Sequence, residues 1–180
     1  MPDTDNPAVQ FLPAYADCIA QAANHWAWVE LEVHWMLWAL MEVHPTVGAC
    51  LTSQVYTFTA KLDALMALMK LRSVPETFIK KVTKFAERSR SALDARNRFV
   101  HDVWLTDNWN SAAMGRTSMS ARKVLDFKTQ TVEINSLQAD LGKIVSAQKE
   151  ASALRSELMP MLPTLPKIPR EASHPLKDIR

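Results

Sequence analysis

From Pro75 onward a seam of residues recurs at three- and four-residue intervals: Phe78, Val82, Phe85, Ser89, Ala92, Arg96, Phe99 and Val103. This spacing predicts one amphipathic helix of roughly seven turns. Arg96 puts a charge in the middle of the seam, and a buried guanidinium needs an anionic partner. At about 100° per residue, Asn97 lies about 100° and His101 about 140° from Arg96, which leaves Asn97 and His101 one turn apart on a neighbouring face. Two arrangements fit. In one, Arg96 pairs with a carboxylate of another helix and His101 caps the carbonyl end. In the other, the three form a working edge, with a histidine that trades protons near neutral pH.

The first helix is expected from Pro13, suited to a first turn, to Val43, where His44-Pro45 ends it. One stripe is Tyr15, Ile19, Ala22, Trp26, Val29, Val33, Leu37 and Leu40; the opposite one is Trp28, Leu31, Trp35 and Trp38. A helix apolar on both sides is covered on both sides. The tryptophan stripe lies under the C-terminal tail, against another subunit or in plain core, and clustered tryptophans favour a subunit interface. Glu30, at the edge of the first stripe, is the carboxylate expected to pair with Arg96 or His101.

A second helical segment is expected from Val47 to Leu71, bent near Thr57-Phe58-Thr59, with Leu62, Leu65, Met66, Met69 and Leu71 on its core side. Ser73 then caps the Arg96 helix, Pro75 sits in its first turn and Glu76 complements its dipole. After Trp104 the period fails. Thr106-Asp107-Asn108 is turn chemistry, and Met114–Ser120 with Lys123–Val132 allows a mobile loop or small hairpin overhanging His101. A last helix is expected from Ser136 to Met159 behind an Asn135 cap, with Gln138 three residues on. Pro160, Pro163, Pro166, Pro169 and Pro175 make the tail an extended or disordered arm. The expected fold is all-α: a bundle of four to five helices with a long first helix, a hairpin or loop insertion at 104–133 and a Pro-rich tail. A flexible 1–12 precedes a single helical domain over 13–159, and 160–180 is the tail.

Composition agrees with one helical domain. The chain has 180 residues, 48% of them hydrophobic and only three of them glycine. Cys18 and Cys50 lack metal-type spacing and read as buried free thiols of a cytoplasmic protein. Met1–Asn6 is acidic and lacks the order of a signal peptide. The apolar region from Trp26 to Val43 is interrupted by Glu30, Glu32, His34 and Glu42, which argues against a membrane span. Charge is unevenly placed: residues 1–60 hold no lysine or arginine and six acidic residues, whereas 75–128 hold eleven basic and six acidic. Lys80, Lys81, Lys84, Arg88, Arg90 and Arg98, with Arg116, Arg122 and Lys123, are ordinary solvated charges or a basic wall that leads a polyanion to His101. Aromatic residues do not interleave with these charges as a base-stacking platform would require, so they suit backbone attraction rather than base reading.

The run Arg96-Asn97-Arg98-Phe99-Val100-His101, an Arg-Asn-x-x-x-His motif late in a helix and followed by Asp102-Val103-Trp104, resembles the signature of the HEPN superfamily. The resemblance covers roughly residues 14 to 159; the 104–133 segment and the Pro-rich tail depart from the family's smallest members. It implies an all-α ribonuclease that needs no metal or other cofactor and cleaves RNA by 2′-hydroxyl transesterification. Catalysis would fall to Arg96, Asn97 and His101, with Lys84, Arg88 and Arg98 holding substrate and Glu30 in support. It also implies a homodimer with a composite cleft, for which Trp28, Leu31, Trp35 and Trp38 offer an interface. Whether the chain is a toxin or defence component with an antitoxin or other protein partner stays open.

Other chemistries find little support. His25 and His34 lack carboxylates at metal-site spacing, and Gly48, Gly115 and Gly142 are isolated, so no phosphate loop is present. The alternative function is a non-catalytic helical dimer that binds a protein or nucleotide, with the motif as a brace. Exposure of Arg96 and His101 separates the two.

Overall fold

The computed structural model describes residues 13–106, 114–121 and 125–167. Asp107, Asn108, Arg122, Lys123, Val124, Pro169, Pro175 and residues 1–12 lie outside the described residues. The chain is mostly helical: α1 (Pro13–Met41), α2 (Pro45–Thr52), α3 (Phe58–Leu71), α4 (Glu76–His101) and α5 (Ile134–Leu158), with strands β1 (Val103–Thr106), β2 (Met114–Ala121) and β3 (Leu125–Val132) between the last two helices. It divides into two compact units, one of residues 1–31 and 85–152, the other of 32–84 and 153–180.

In the first unit the buried positions of α1 are Tyr15, Cys18, Ala22, Trp26 and Val29, spaced three and four apart; they follow the first stripe except that Cys18 is buried where the stripe has Ile19, which is half-buried. Those of α4 are Phe85, Ser89, Ala92, Ala95 and Phe99, and α5 adds Leu137, Ile144, Ala147 and Ala151. Tyr15 donates its hydroxyl to the Val132 carbonyl at 2.8 Å, and His25 Nδ1 lies 2.5 Å from Gln148 Oε1. The 104–133 insertion is a three-stranded antiparallel sheet, in the order β1-β2-β3, rather than one hairpin. β1 is its extra strand: the helix stops at His101, and Val103, predicted to continue the seam, turns into strand and pairs with Thr117. Met114 and Val132, opposite each other in the register, are buried.

In the second unit the core comes from Val33, Met36, Leu37, Trp38 and Leu40 of α1, Phe58, Leu62, Leu65 and Met69 of α3, Phe78, Ile79 and Val82 of α4, and Leu154 and Leu158 of α5. Leu71, expected on the core side, is 59% exposed at the last position of α3. The expected second helix is broken. α2 ends at Thr52, and α3 starts afresh where the Thr57 hydroxyl accepts the Ala60 amide. The ends of α1 and α3 share one device. Glu42 and Ser73 have positive φ, 56° and 52°; their amides reach back to Ala39 and Lys70, and those of Val43 and Val74 to Trp38 and Met69. Ser73 therefore closes α3 and does not cap α4, whose first turn starts from the Pro75 carbonyl two residues later. Asn135 likewise lies inside α5, whose first turn starts from the Glu133 carbonyl. The proline-rich segment begins as a 3-10 helix, Met159–Thr164, which accommodates Pro160 at its start and Pro163 inside.

Candidate functional site

α4 carries Arg96, Asn97 and His101 into its last turns and ends there. The buried line shifts from Ala92 to Ala95 and Phe99, which leaves Arg96 and Asn97 half-buried on its flank and His101 exposed. Arg96 is thus not sealed in the core, and it needs no buried counter-ion. Its Nη1 donates to Asn97 Oδ1 at 3.1 Å and lies 3.1 Å from His101 Nε2. A guanidinium only donates, so the facing Nε2 accepts, and the imidazole in this bond is the neutral Nδ1–H form. The three residues of the motif form one hydrogen-bonded group.

Glu30 has a bond on its own helix: its carboxylate accepts the Trp26 indole N–H at 2.8 Å, while Arg96 Nη1 turns to Asn97 and His101. The proposed substrate residues diverge. Arg98, 200° round the helix from Arg96 at about 100° per residue, is exposed and reaches back to the Asp94 carbonyl. Arg88 is ion-paired with Glu150, which holds its guanidinium above the usual range through that hydrogen bond and charge. Lys84 is exposed in the other unit, where Lys81 pairs with Glu157. The basic wall is in part a row of solvated ion pairs.

Arg116 leaves that wall altogether. It is 7% exposed, and its Nε lies 3.2 Å from Asp102 Oδ2. Its guanidinium sits 5.8 Å from the centre of the Trp104 ring, its cross-strand partner, while the Trp104 indole donates to the Phe99 carbonyl at 3.1 Å. Asp102, Trp104 and Arg116 thus bind the sheet to the end of α4. The sequence offers no periodicity for this trio, since it depends on the register of β1 with β2.

A groove of about 580 Å³ runs beside α4 and α5 in the same unit, lined among others by Arg88, Ser89, Ser91, Gly142, Ser146 and Glu150. It does not include Arg96, Asn97 or His101, so the motif stands outside it.

The tryptophan stripe separates by position. Trp28 is 47% exposed, Leu31 and Trp35 are half-buried, and Trp38 is covered by the chain's own α2. The Trp38 indole donates to Thr52 Oγ1 at 3.2 Å and lies against Gly48, so it is not available to a second subunit. Cys18 is buried, and Cys50, expected to be buried, is exposed. Among the described residues no group of histidine, cysteine and carboxylates is arranged to hold a metal ion, and no helix is long and apolar enough to cross a membrane. Comparison with known proteins gives no match to a family model, to a curated protein or to a solved structure.

Proposed function

We propose that the chain is a metal-independent endoribonuclease of the HEPN type. One observation carries the reading: Arg96 gathers Asn97 and His101 into a single hydrogen-bonded group at the end of α4, with the imidazole exposed. The 2′-hydroxyl gives its proton to His101 as its oxygen attacks the adjacent phosphorus. The bond from phosphorus to the 5′-oxygen breaks, and that oxygen takes up a proton, leaving a cyclic phosphate and a 5′-hydroxyl. Arg96 suits the phosphoryl oxygens, on which charge builds. In the resting site it occupies His101 Nε2; a phosphate that draws the guanidinium away frees that lone pair to act as the base. Asn97, bonded to the same nitrogen, keeps Arg96 on the histidine's side.

Cleavage needs a proton donor as well as an acceptor. A homodimer supplies the second imidazole from the second copy of His101, across a composite cleft. Trp28 is the exposed tryptophan of the stripe that such an interface would use, flanked by Leu31 and Trp35. Exposed Arg98 and Lys84 contribute diffuse attraction to an RNA backbone. The brace reading is less favoured, because Arg96 has no carboxylate partner among the described residues.

The test is to incubate the purified protein with mixed RNA in excess chelator, beside His101→Ala. Cleavage with cyclic-phosphate ends that is lost in the variant supports the reading. Cleavage that requires added divalent metal, or that survives in His101→Ala, refutes it.

A further inference from the structure

His101 is the last residue of α4, and a helix's last carbonyls have no partners within the helix, so its end frays unless something outside holds it. Here the backbone is held on both sides of His101. Before it, the Phe99 carbonyl takes the Trp104 indole N–H at 3.1 Å. After it, Asp102 Oδ2 lies 3.2 Å from Nε of Arg116 in the sheet's middle strand, an ion-pair contact rather than an aligned hydrogen bond, with both side chains largely buried. Trp104 and Arg116 stand opposite each other in the register, so the guanidinium that pairs with Asp102 also lies over the indole that holds Phe99. The two holds are therefore one assembly. His101 itself is exposed, and among the described residues its one side-chain bond is to Arg96. The backbone frame, and not packing around the ring, must set its distance from Arg96.

We propose that the Asp102–Arg116 ion pair, seated on Trp104, positions His101 against Arg96. Its effect on cleavage rests on the ribonuclease reading; its effect on the imidazole does not. Arg116 suits the task because its flat, delocalised cation brings Nε to the Asp102 carboxylate while the guanidinium plane lies over the indole, a shape that the compact ammonium of lysine does not reproduce. With the pair loosened, the last turn of α4 frays and the Arg96 bond to Nε2 is lost. The neutral ring is then free to carry its proton on Nε2 instead of Nδ1.

The test uses the full chain with Arg116→Lys and Asp102→Asn, the second nearly unchanged in shape. Long-range proton–nitrogen NMR of the imidazole rings, above the histidine titration range and assigned with His101→Ala, reads the tautomer. The parent should show Nδ1–H at His101, and both variants should gain Nε2–H. RNA cleavage should lose kcat on the order of 10- to 100-fold, with KM changed less than about threefold. Variants that melt lower yet keep the parental ring signals and kcat would reduce the pair to a structural tie and overturn the proposal. If the parent protein cleaves no RNA, the ribonuclease reading falls and the ring spectra decide alone. A gain of Nε2–H in Asp102→Asn then sustains the positioning role, and an unchanged ring overturns it.

Discussion

Nη1 of Arg96 lies 3.1 Å from Nε2 of His101 and the same distance from Oδ1 of Asn97, so the charge at the motif's centre is bonded to two neutral acceptors. That separates its role in stability from its role in chemistry. Removing one partner of a buried ion pair costs about 3–5 kcal/mol, whereas ordinary hydrogen bonds contribute about 1 kcal/mol each. Arg96→Ala leaves no buried charge behind and should cost about 1 kcal/mol or less in thermal melting. RNA cleavage should fall by about 10²- to 10³-fold, the usual effect of losing a donor aimed at developing charge. A large drop in melting temperature would instead mark Arg96 as a brace.

Arg72 is, with Arg116, a buried guanidinium of this fold. It is 2% exposed, donates to the Leu40 carbonyl at 2.8 Å at the end of α1 and pairs with Glu42 at 3.0 Å. The two partners should not respond alike. Glu42 is 43% exposed, but the guanidinium it serves is buried, so Glu42→Gln keeps an acceptor oxygen yet leaves that cation without its counter-charge and should cost about 3 kcal/mol or more. Arg72→Met keeps the packing but leaves the Leu40 carbonyl unpaired in the interior, which should cost about 1–3 kcal/mol. Denaturant titration of both variants checks the order.

Gly48 and Gly142 give a matched comparison. A methyl group on Gly48 would clash with Cδ1 of Trp38, and the indole is buried and tied to Thr52, so it cannot swing away. Gly48→Ala should destabilise by about 1–3 kcal/mol and alter the tryptophan fluorescence. On Gly142, inside α5, the same methyl meets nothing within 4 Å. Gly142→Ala should stabilise by about 0.5–1 kcal/mol through helix propensity alone.

The core faces of α1 and α4 were legible because each is long and its spacing holds for many turns. Tyr15, Ala22, Trp26 and Val29, and Phe85, Ala92 and Phe99, are buried where the period puts them. The motif was legible for a related reason: Arg96, Asn97 and His101 share one helix, so their proximity follows from angle and rise. Relations between elements were not legible. Trp38 looked like an interface residue because its partner, Gly48, lies across a turn and has no side chain to announce it. Arg116 looked like part of a basic surface because its burial depends on a strand register. Cys50 shares a helix with Gly48, and only the docking of α2 decides which side of that short helix faces inward.

The cysteines should react in sequence. Burial, helped by neighbouring Asp17, pushes the Cys18 thiol above its ordinary value, while Cys50 is exposed. A thiol raised in the folded state contributes its stability while protonated; that contribution is intact below the ordinary thiol range and is lost as pH rises through the folded value. In native protein a thiol reagent should label one cysteine, Cys50, quickly. Labelling of Cys18 should track unfolding, and Cys18→Ala should flatten the alkaline loss of stability. Equal labelling of both thiols in the native state would contradict the burial of Cys18.

Ser73 tests which helix owns a boundary. As the cap of α4, its hydroxyl would satisfy a first-turn amide, and Ser73→Ala would cost about 1 kcal/mol with Ser73→Gly close to neutral. As the left-handed residue closing α3, with φ of 52° and its amide on the Lys70 carbonyl at 3.1 Å, it contributes backbone alone. A side chain is strained in that conformation and a glycine is not. Ser73→Gly should then stabilise by about 1 kcal/mol, and Ser73→Ala, which keeps the β-carbon, should change little. The same backbone at Glu42 makes a poorer test, because replacing that residue also removes the partner of Arg72. Thermal melts of the two Ser73 variants decide by sign: a gain with glycine assigns the residue to α3, and a loss with alanine returns it to α4.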